Sequence, residues 1–196
     1  MSHTVDGSHD SHTQPEVKAI DRIGDWPLDP HITFLNHGSF GSSPKAVLEE
    51  QLRLRTELEA QPIEFLVRQL EGHLDEAKAH LATFLKAQPS NLSFIPNATH
   101  GVNTVLRSLR FQPGDELLTT NHAYNACTNA LRFVAEQFQA VVRVAQIPTP
   151  LDDPMEVCEH LQRAVTPKTR LLLIDHVTSP TALIFRIQEI VTQMKR

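Results

Sequence analysis

Apolar residues recur with two different rhythms along this chain, and the change of rhythm divides it. Over residues 45–60, Val47, Leu48, Leu52, Leu54 and Leu58 lie among charged residues in a helical composition. Gln61-Pro62 interrupts that stretch, and a second helix is expected over 63–84, with Phe65, Leu66, Leu70, Leu74, Ala77, Leu81 and Phe84 as its apolar side. From residue 92 the apolar runs become short. Residues 92–95 read as a strand, Pro96 and Asn97 break it, and Val102, Val105, Leu106 and Leu109 return to helical spacing. Further on, 111–115 reads as a turn, 116–120 as a strand, 126–139 as a helix and 141–147 as a strand. A linker at 148–154 leads to a helix at 155–164. The run 170–177 is the clearest buried strand in the chain, a loop follows at 179–182, and a last helix starts at 187.

Strands alternating with helices from residue 92 onward predict an α/β fold with a mostly parallel sheet. Such sheets gather ligands outside the carboxyl ends of their strands. Three polar clusters fall there: 97–101, 121–125 and 175–181. The first sits at a helix mouth, where unpaired N–H groups and the helix dipole can hold a phosphate. The second offers an imidazole or a phenol ring, and the third hydroxyls and a carboxylate. Together they suit a flat, phosphorylated aromatic cofactor. Taken singly each has a plain structural reading: Asn97 and Thr99 are ordinary helix caps, and the other two clusters are ordinary loop chemistry. Neither the Walker lysine pattern nor G-x-G-x-x-G is present.

Composition narrows the partners. The 196 residues are 40% hydrophobic and 21% charged, with a net charge of −5. That balance suits a globular chain and gives no reason to expect nucleic acid or an anionic membrane. No apolar run has the length of a membrane span, and the N-terminal residues lack the apolar core of a secretory signal. Cys127 and Cys158 have no partner motif and read as reduced thiols, with a cytoplasmic location as the default.

Residues 1–25 are expected to form a His- and Ser-rich disordered tail, 26–90 an N-terminal loop and helical segment, and 91–196 an incomplete cofactor-binding domain. His3, His9 and His12 of the tail lack a scaffold for metal, and His73 and His80 share a helix face on which solvation is the simpler reading.

Four motifs in register carry a resemblance. They are Phe34-Leu-Asn-His-Gly-Ser-Phe-Gly-Ser-Ser-Pro44, Asn97-Ala-Thr-His-Gly-Val-Asn103, Thr119-Thr-Asn-His-Ala-Tyr124 and Ile174-Asp-His-Val-Thr-Ser-Pro-Thr-Ala182. Together they resemble the class V aminotransferase family, whose cofactor is pyridoxal 5'-phosphate, and are most similar to its isopenicillin N epimerase-like branch. The match runs from residue 34 to 196. It implies the large domain of the fold type I pyridoxal-phosphate-dependent transferases. In the full-length family it also implies an amino-acid substrate and a homodimer.

The resemblance also implies roles. Ala98 and Thr99 match the turn that holds the cofactor phosphate. His122 matches the ring that stacks over the pyridine, with Tyr124 as the alternative if the register slips by two. Ser179 falls where desulfurases carry an Asn that bonds the cofactor's phenolic oxygen. Asn36, His37, Gly38 and Tyr124 lie where relatives line the substrate entrance.

The chain departs from the family pattern in what it does not reach. The Asp that pairs with the pyridinium nitrogen belongs to a later strand, so Asp175 is not its counterpart. The Schiff-base Lys lies further on still, and Lys195 does not match it. The expectation is a C-terminally truncated large domain without turnover of its own. Two other readings stay open: a non-catalytic dimer partner of a full-length relative, and a generic phosphate-binding α/β domain.

Overall fold

The computed structural model describes residues 22–194. Residues 1–21 of the tail expected over 1–25, with His3, His9 and His12, lie outside the described residues, and so does Lys195. The chain forms two compact units, Met1–Leu92 and Ser93–Arg196.

In the first unit, a short 3-10 turn at Ile23–Asp25 precedes α1 (His37–Phe40) and α2 (Lys45–Ala60). Pro44 caps α2 with the fixed φ that suits a helix start. The single helix expected over 63–84 is instead a π-helical turn, Glu64–Gln69, running into α3 (Leu70–Leu85). After Pro62 the backbone widens by one residue, and Leu70 N–H reaches Phe65 O rather than the carbonyl four back. The helix α3 ends on Lys86 in the left-handed region.

The second unit is built on a three-stranded parallel sheet in the order β2–β1–β3, with β1 Glu116–Thr120, β2 Val141–Ala145 and β3 Thr169–Leu172. Glu116 pairs with Val141 and Thr120 with Ala145, while Leu117 pairs with Leu171. β1 lies between two partners and is covered by helices on both faces, so its adjacent Leu117 and Leu118 are both fully buried. Alternation sends Leu117 to one face, among Leu106, Leu131 and Val134. Those residues belong to α4 (Ala98–Ser108) and α5 (Asn125–Phe138). Leu118 goes to the other face, among Val157, Leu161, Phe185 and Ile190. That layer contains α6 (Glu156–Ala164) and α7 (Ile187–Met194).

Three strand expectations change. Residues 92–95 run extended without joining the sheet, with Phe94 and Ile95 exposed. An apolar run becomes a strand only where another strand offers its backbone groups. The run 170–177 keeps its ladder only to Leu172. Leu173 adds one more bond, to Leu118 O, and the chain then turns away as an extended segment. Similarly β2 stops at Ala145, two residues short of expectation. Among the described residues no helix is long and apolar enough to cross a membrane.

Candidate functional site

In a parallel sheet all strand ends of one sense lie along one edge, so the segments after β1, β2 and β3 meet there. The segment after β1 is fastened by Asn121. Its N–H donates to Ala145 O, its side-chain oxygen accepts Ile147 N–H at 2.8 Å, and its amide donates to Ile147 O at 3.1 Å. The carboxamide thus extends the β1–β2 ladder after both strands have ended.

His122 follows, only 5% exposed. Its Nε2 lies 2.9 Å from Ile147 O and 3.3 Å from Thr149 Oγ1, and its Nδ1 lies 2.8 Å from Thr181 Oγ1. Both ring nitrogens are therefore taken by protein groups from the segments after β2 and β3. Two residues on, Tyr124 caps α5 through its backbone and is 46% exposed. Its N–H donates to the Asp175 carboxylate at 2.9 Å.

The loop after β3 is held from within. Thr178 is buried; its hydroxyl accepts Leu183 N–H at 2.9 Å and lies 2.8 Å from Thr181 Oγ1. Ala182 takes a φ of 54°, in the left-handed region. Ser179 and His176 are exposed on this loop.

At the mouth of α4 the Asn97 side chain accepts His100 N–H at 2.9 Å, and Gly101 N–H reaches Asn97 O. Among the described residues nothing accepts the N–H groups of Ala98 and Thr99, so two donors at the positive end of an eleven-residue helix stay open. Gly101 lets the preceding segment close on the helix: a Cβ there would meet Ile95 Cδ1 at 2.5 Å. Asn97, Thr99, His100, Asn103 and Arg107 line an open depression of about 470 Å³. His122, Tyr124 and Ser179 are not among its walls.

Of the expected entrance residues, Tyr124 belongs to the second unit, and Asn36, His37 and Gly38 belong to the first. Asn36 caps α1, and His37 packs edge-on against Phe34, with ring centroids 4.7 Å apart. His37 also lines a hollow of about 910 Å³, whose walls of Ile23, Trp26, Leu28 and Phe34 are mostly apolar. Asn36 and Gly38 are exposed beside it.

The structure thus joins His122 to the β3 loop and Tyr124 to Asp175. The residues that do the joining, Asn121, Asp175, Thr178 and Thr181, carry no assigned role in the sequence reading. The signal for all four is that they fall in the polar clusters 121–125 and 175–181.

Neither a lysine nor a metal cluster completes the edge. Among the described residues of the second unit Lys168 is the single lysine, and it precedes β3, at the sheet's opposite end. No group of three or more potential metal ligands occurs among the described residues.

A sequence model of the family described as Aminotransferase class-V matches residues 37–196. Isopenicillin N epimerase of Amycolatopsis lactamdurans is 36% identical over 172 residues, which cover 86% of this chain and 43% of that protein. The enzyme of the same name from Streptomyces clavuligerus is 31% identical, covering 86% and 44%. A solved structure of a C-DES mutant with glycine covalently linked to its PLP cofactor superposes with a TM-score of 0.82 at 24% identity, over 91% of this chain and 46% of that one. The fold is therefore that of part of a PLP-dependent enzyme's large domain. The chain spans about half the length of the curated relatives it matches.

Proposed function

Since this chain belongs to the class V aminotransferase family, we propose that it holds pyridoxal 5'-phosphate as part of an enzyme acting on an amino acid. The observation that carries the reading is the pair of open N–H groups of Ala98 and Thr99 at the mouth of α4, in the turn that the family resemblance matches to phosphate binding. When bound, the cofactor supplies an electron sink for carbanion chemistry. The residues here supply binding and orientation. The α4 mouth takes the phosphate through backbone N–H groups, with the Thr99 hydroxyl beside them.

Of the two rings after β1, Tyr124 has the open one, and we assign the stacking to it. A ring that covers a flat ligand leaves a whole face to solvent when the ligand is removed, and His122 is too deeply covered for that. To Ser179, exposed in the loop after β3, we assign the bond to the phenolic oxygen. The donor set fits phosphate and ring but not the tether. Lys168, the single lysine among the described residues of the second unit, stands at the other end of the sheet.

The proposed partner is a second copy of the polypeptide. Leu52 of α2, and Ile63 and Phe84 on the stretch after it, are exposed, which supports a role for these helices in an interface. The two free, buried cysteines suit a reducing compartment such as the cytoplasm.

The test uses pyridoxamine 5'-phosphate, which lacks the aldehyde that would react with any surface lysine. The chain should quench or shift its fluorescence saturably, and pyridoxamine without phosphate should bind at least about tenfold more weakly, as expected for loss of charge-assisted bonds. Thr99→Ala should weaken the phosphorylated form by about fivefold, the worth of one hydrogen bond. Equal affinity for the two amines would overturn the phosphate assignment.

A further inference from the structure

The buried imidazole has a second feature: its partners dictate where its proton sits. Ile147 O can only accept, so Nε2 must donate to it. In a ring with one proton, Nδ1 is then an acceptor, and the Thr181 hydroxyl must donate to it across 2.8 Å. Having spent its proton there, Thr181 Oγ1 accepts from Thr178, 2.8 Å away. The Thr178 oxygen in turn accepts Leu183 N–H. A single polarity runs through the set: Leu183 N–H to Thr178, Thr178 to Thr181, Thr181 to His122, His122 to Ile147 O.

We infer that His122 is a positioning residue, carrying its proton on Nε2, which locks the segments after β1, β2 and β3 into one rigid edge and so fixes where Tyr124 and Ser179 stand. The inference rests on the proposed cofactor site and assigns to it a support that touches neither phosphate nor ring. Three facts carry it. The chain of bonds visits all three strand ends, through partners 25 and 59 residues away in sequence. Ser179 lies between the two threonines of the chain, and Tyr124 lies two residues past the imidazole. Ala182 is held at a φ of 54° inside the same loop, with its N–H on Thr178 O at 2.8 Å. A side chain with a Cβ adopts that conformation when surrounding bonds impose it. Directed bonds around a buried imidazole hold geometry more tightly than packing alone.

Thr181 is exposed, so its variants should fold, with the urea midpoint as the check. In the wild-type chain, long-range ¹H–¹⁵N spectra should give His122 the pattern of an Nε2–H ring with an unprotonated Nδ1. Thr181→Val removes the donor to Nδ1, so the Nδ1 resonance should move and Leu183 N–H should exchange about fivefold faster, the worth of one hydrogen bond. Affinity for pyridoxamine 5'-phosphate should fall by a similar factor, and Thr181→Ser should restore all three. A wild-type ring protonated on Nδ1, or a Thr181→Val variant with unmoved ring signals, overturns the inference. So does a moved ring with unchanged affinity, which would make the bond chain structural only. A wild-type chain that fails to bind the phosphate at all sinks the proposed function and this positioning role with it, and that result is told apart because the ring spectra are read without ligand.

Discussion

The carboxylate of Asp175 accepts the backbone N–H of Tyr124 across 2.9 Å, and this bond caps α5 from the segment after β3. No side chain of the β1–α5 turn caps the helix itself. The cap is imported from a residue 51 positions away, so helix and strand end are fixed together.

Replacing that carboxylate should loosen both. Asp175→Ala should destabilise the chain by about 1 kcal/mol, the usual worth of an N-terminal cap. Asp175→Asn keeps an acceptor and loses only the charge facing the helix dipole, so its loss should be about half as large. Urea midpoints at constant slope measure both. Equal loss in the two variants would mean that the charge, not the bond, holds the turn.

The periodic parts of this fold were readable from the sequence, and the connecting parts were not. Lys45–Ala60 and Glu116–Thr120 fall on their expected bounds, because local signals mark their ends: Pro44 and Gln61-Pro62 bracket the helix, and Pro113-Gly114 and Asn121 bracket the adjacent Leu117 and Leu118. Residues 92–95 have the same apolar look but meet no strand, and nothing local reports that. The π turn at Glu64–Gln69 is a one-residue widening that hydrophobic spacing is too coarse to register. For the proposed site, the sequence offers two rings after β1, His122 and Tyr124. Choosing between them depends on Ile147 and Thr181, far off in sequence, and hydrogen-bond partners leave no periodic trace.

Asp175 also bears on Cys127. Burial is the larger cause that pushes the Cys127 thiol above its ordinary pKa, and the Asp175 charge adds to it. Cys158 is raised as well, by burial first and then by Glu189. Both thiols should therefore resist alkylation near pH 7 in the folded chain and react freely in urea. In Asp175→Asn, the midpoint of the pH–rate profile should move down for Cys127 and stay for Cys158, as mass spectrometry of the labelled peptides would report. Parallel shifts at both cysteines would point to general loosening.

Glu116 makes stability depend on acid. Its side chain, 12% exposed, accepts Thr166 Oγ1 at 2.6 Å and Thr169 Oγ1 at 3.4 Å, and it pairs with Arg143 at 3.4 Å. The Thr166 bond is the main cause that holds its pKa below 4.5; Arg143 and Thr169 reinforce it against desolvation. With the folded pKa depressed, the unfolded chain takes up the proton first as pH falls. The stabilisation is complete above the unfolded pKa and is lost as pH drops through the folded value. Urea midpoints between about pH 3 and 7 should fall more steeply for the wild type than for Glu116→Gln, which should start lower at neutral pH. Curves that stay parallel across that range would show that Glu116 titrates alike in both states.

One atom in β1 stands apart from this network. Thr119 is fully buried, and its Oγ1 is the one buried side-chain oxygen or nitrogen among the described residues without a hydrogen-bond partner. Its neighbour Thr120, by contrast, uses its hydroxyl on His122 N–H at 3.3 Å. Alternation puts Thr119 on the Leu117 face, against the α4 and α5 layer, where apolar groups surround it. A buried hydroxyl without a partner costs about 1–3 kcal/mol relative to an apolar group of the same shape. Thr119→Val preserves the branched shape and should stabilise the chain by about 1 kcal/mol. Thr119→Ser keeps the hydroxyl and deletes a methyl, and should destabilise it by about 1 kcal/mol. The comparison separates two sources of cost, the stranded oxygen and the missing volume. A Val variant less stable than wild type would require that the hydroxyl is bonded in solution, by a water or a ligand that reaches this end of the sheet.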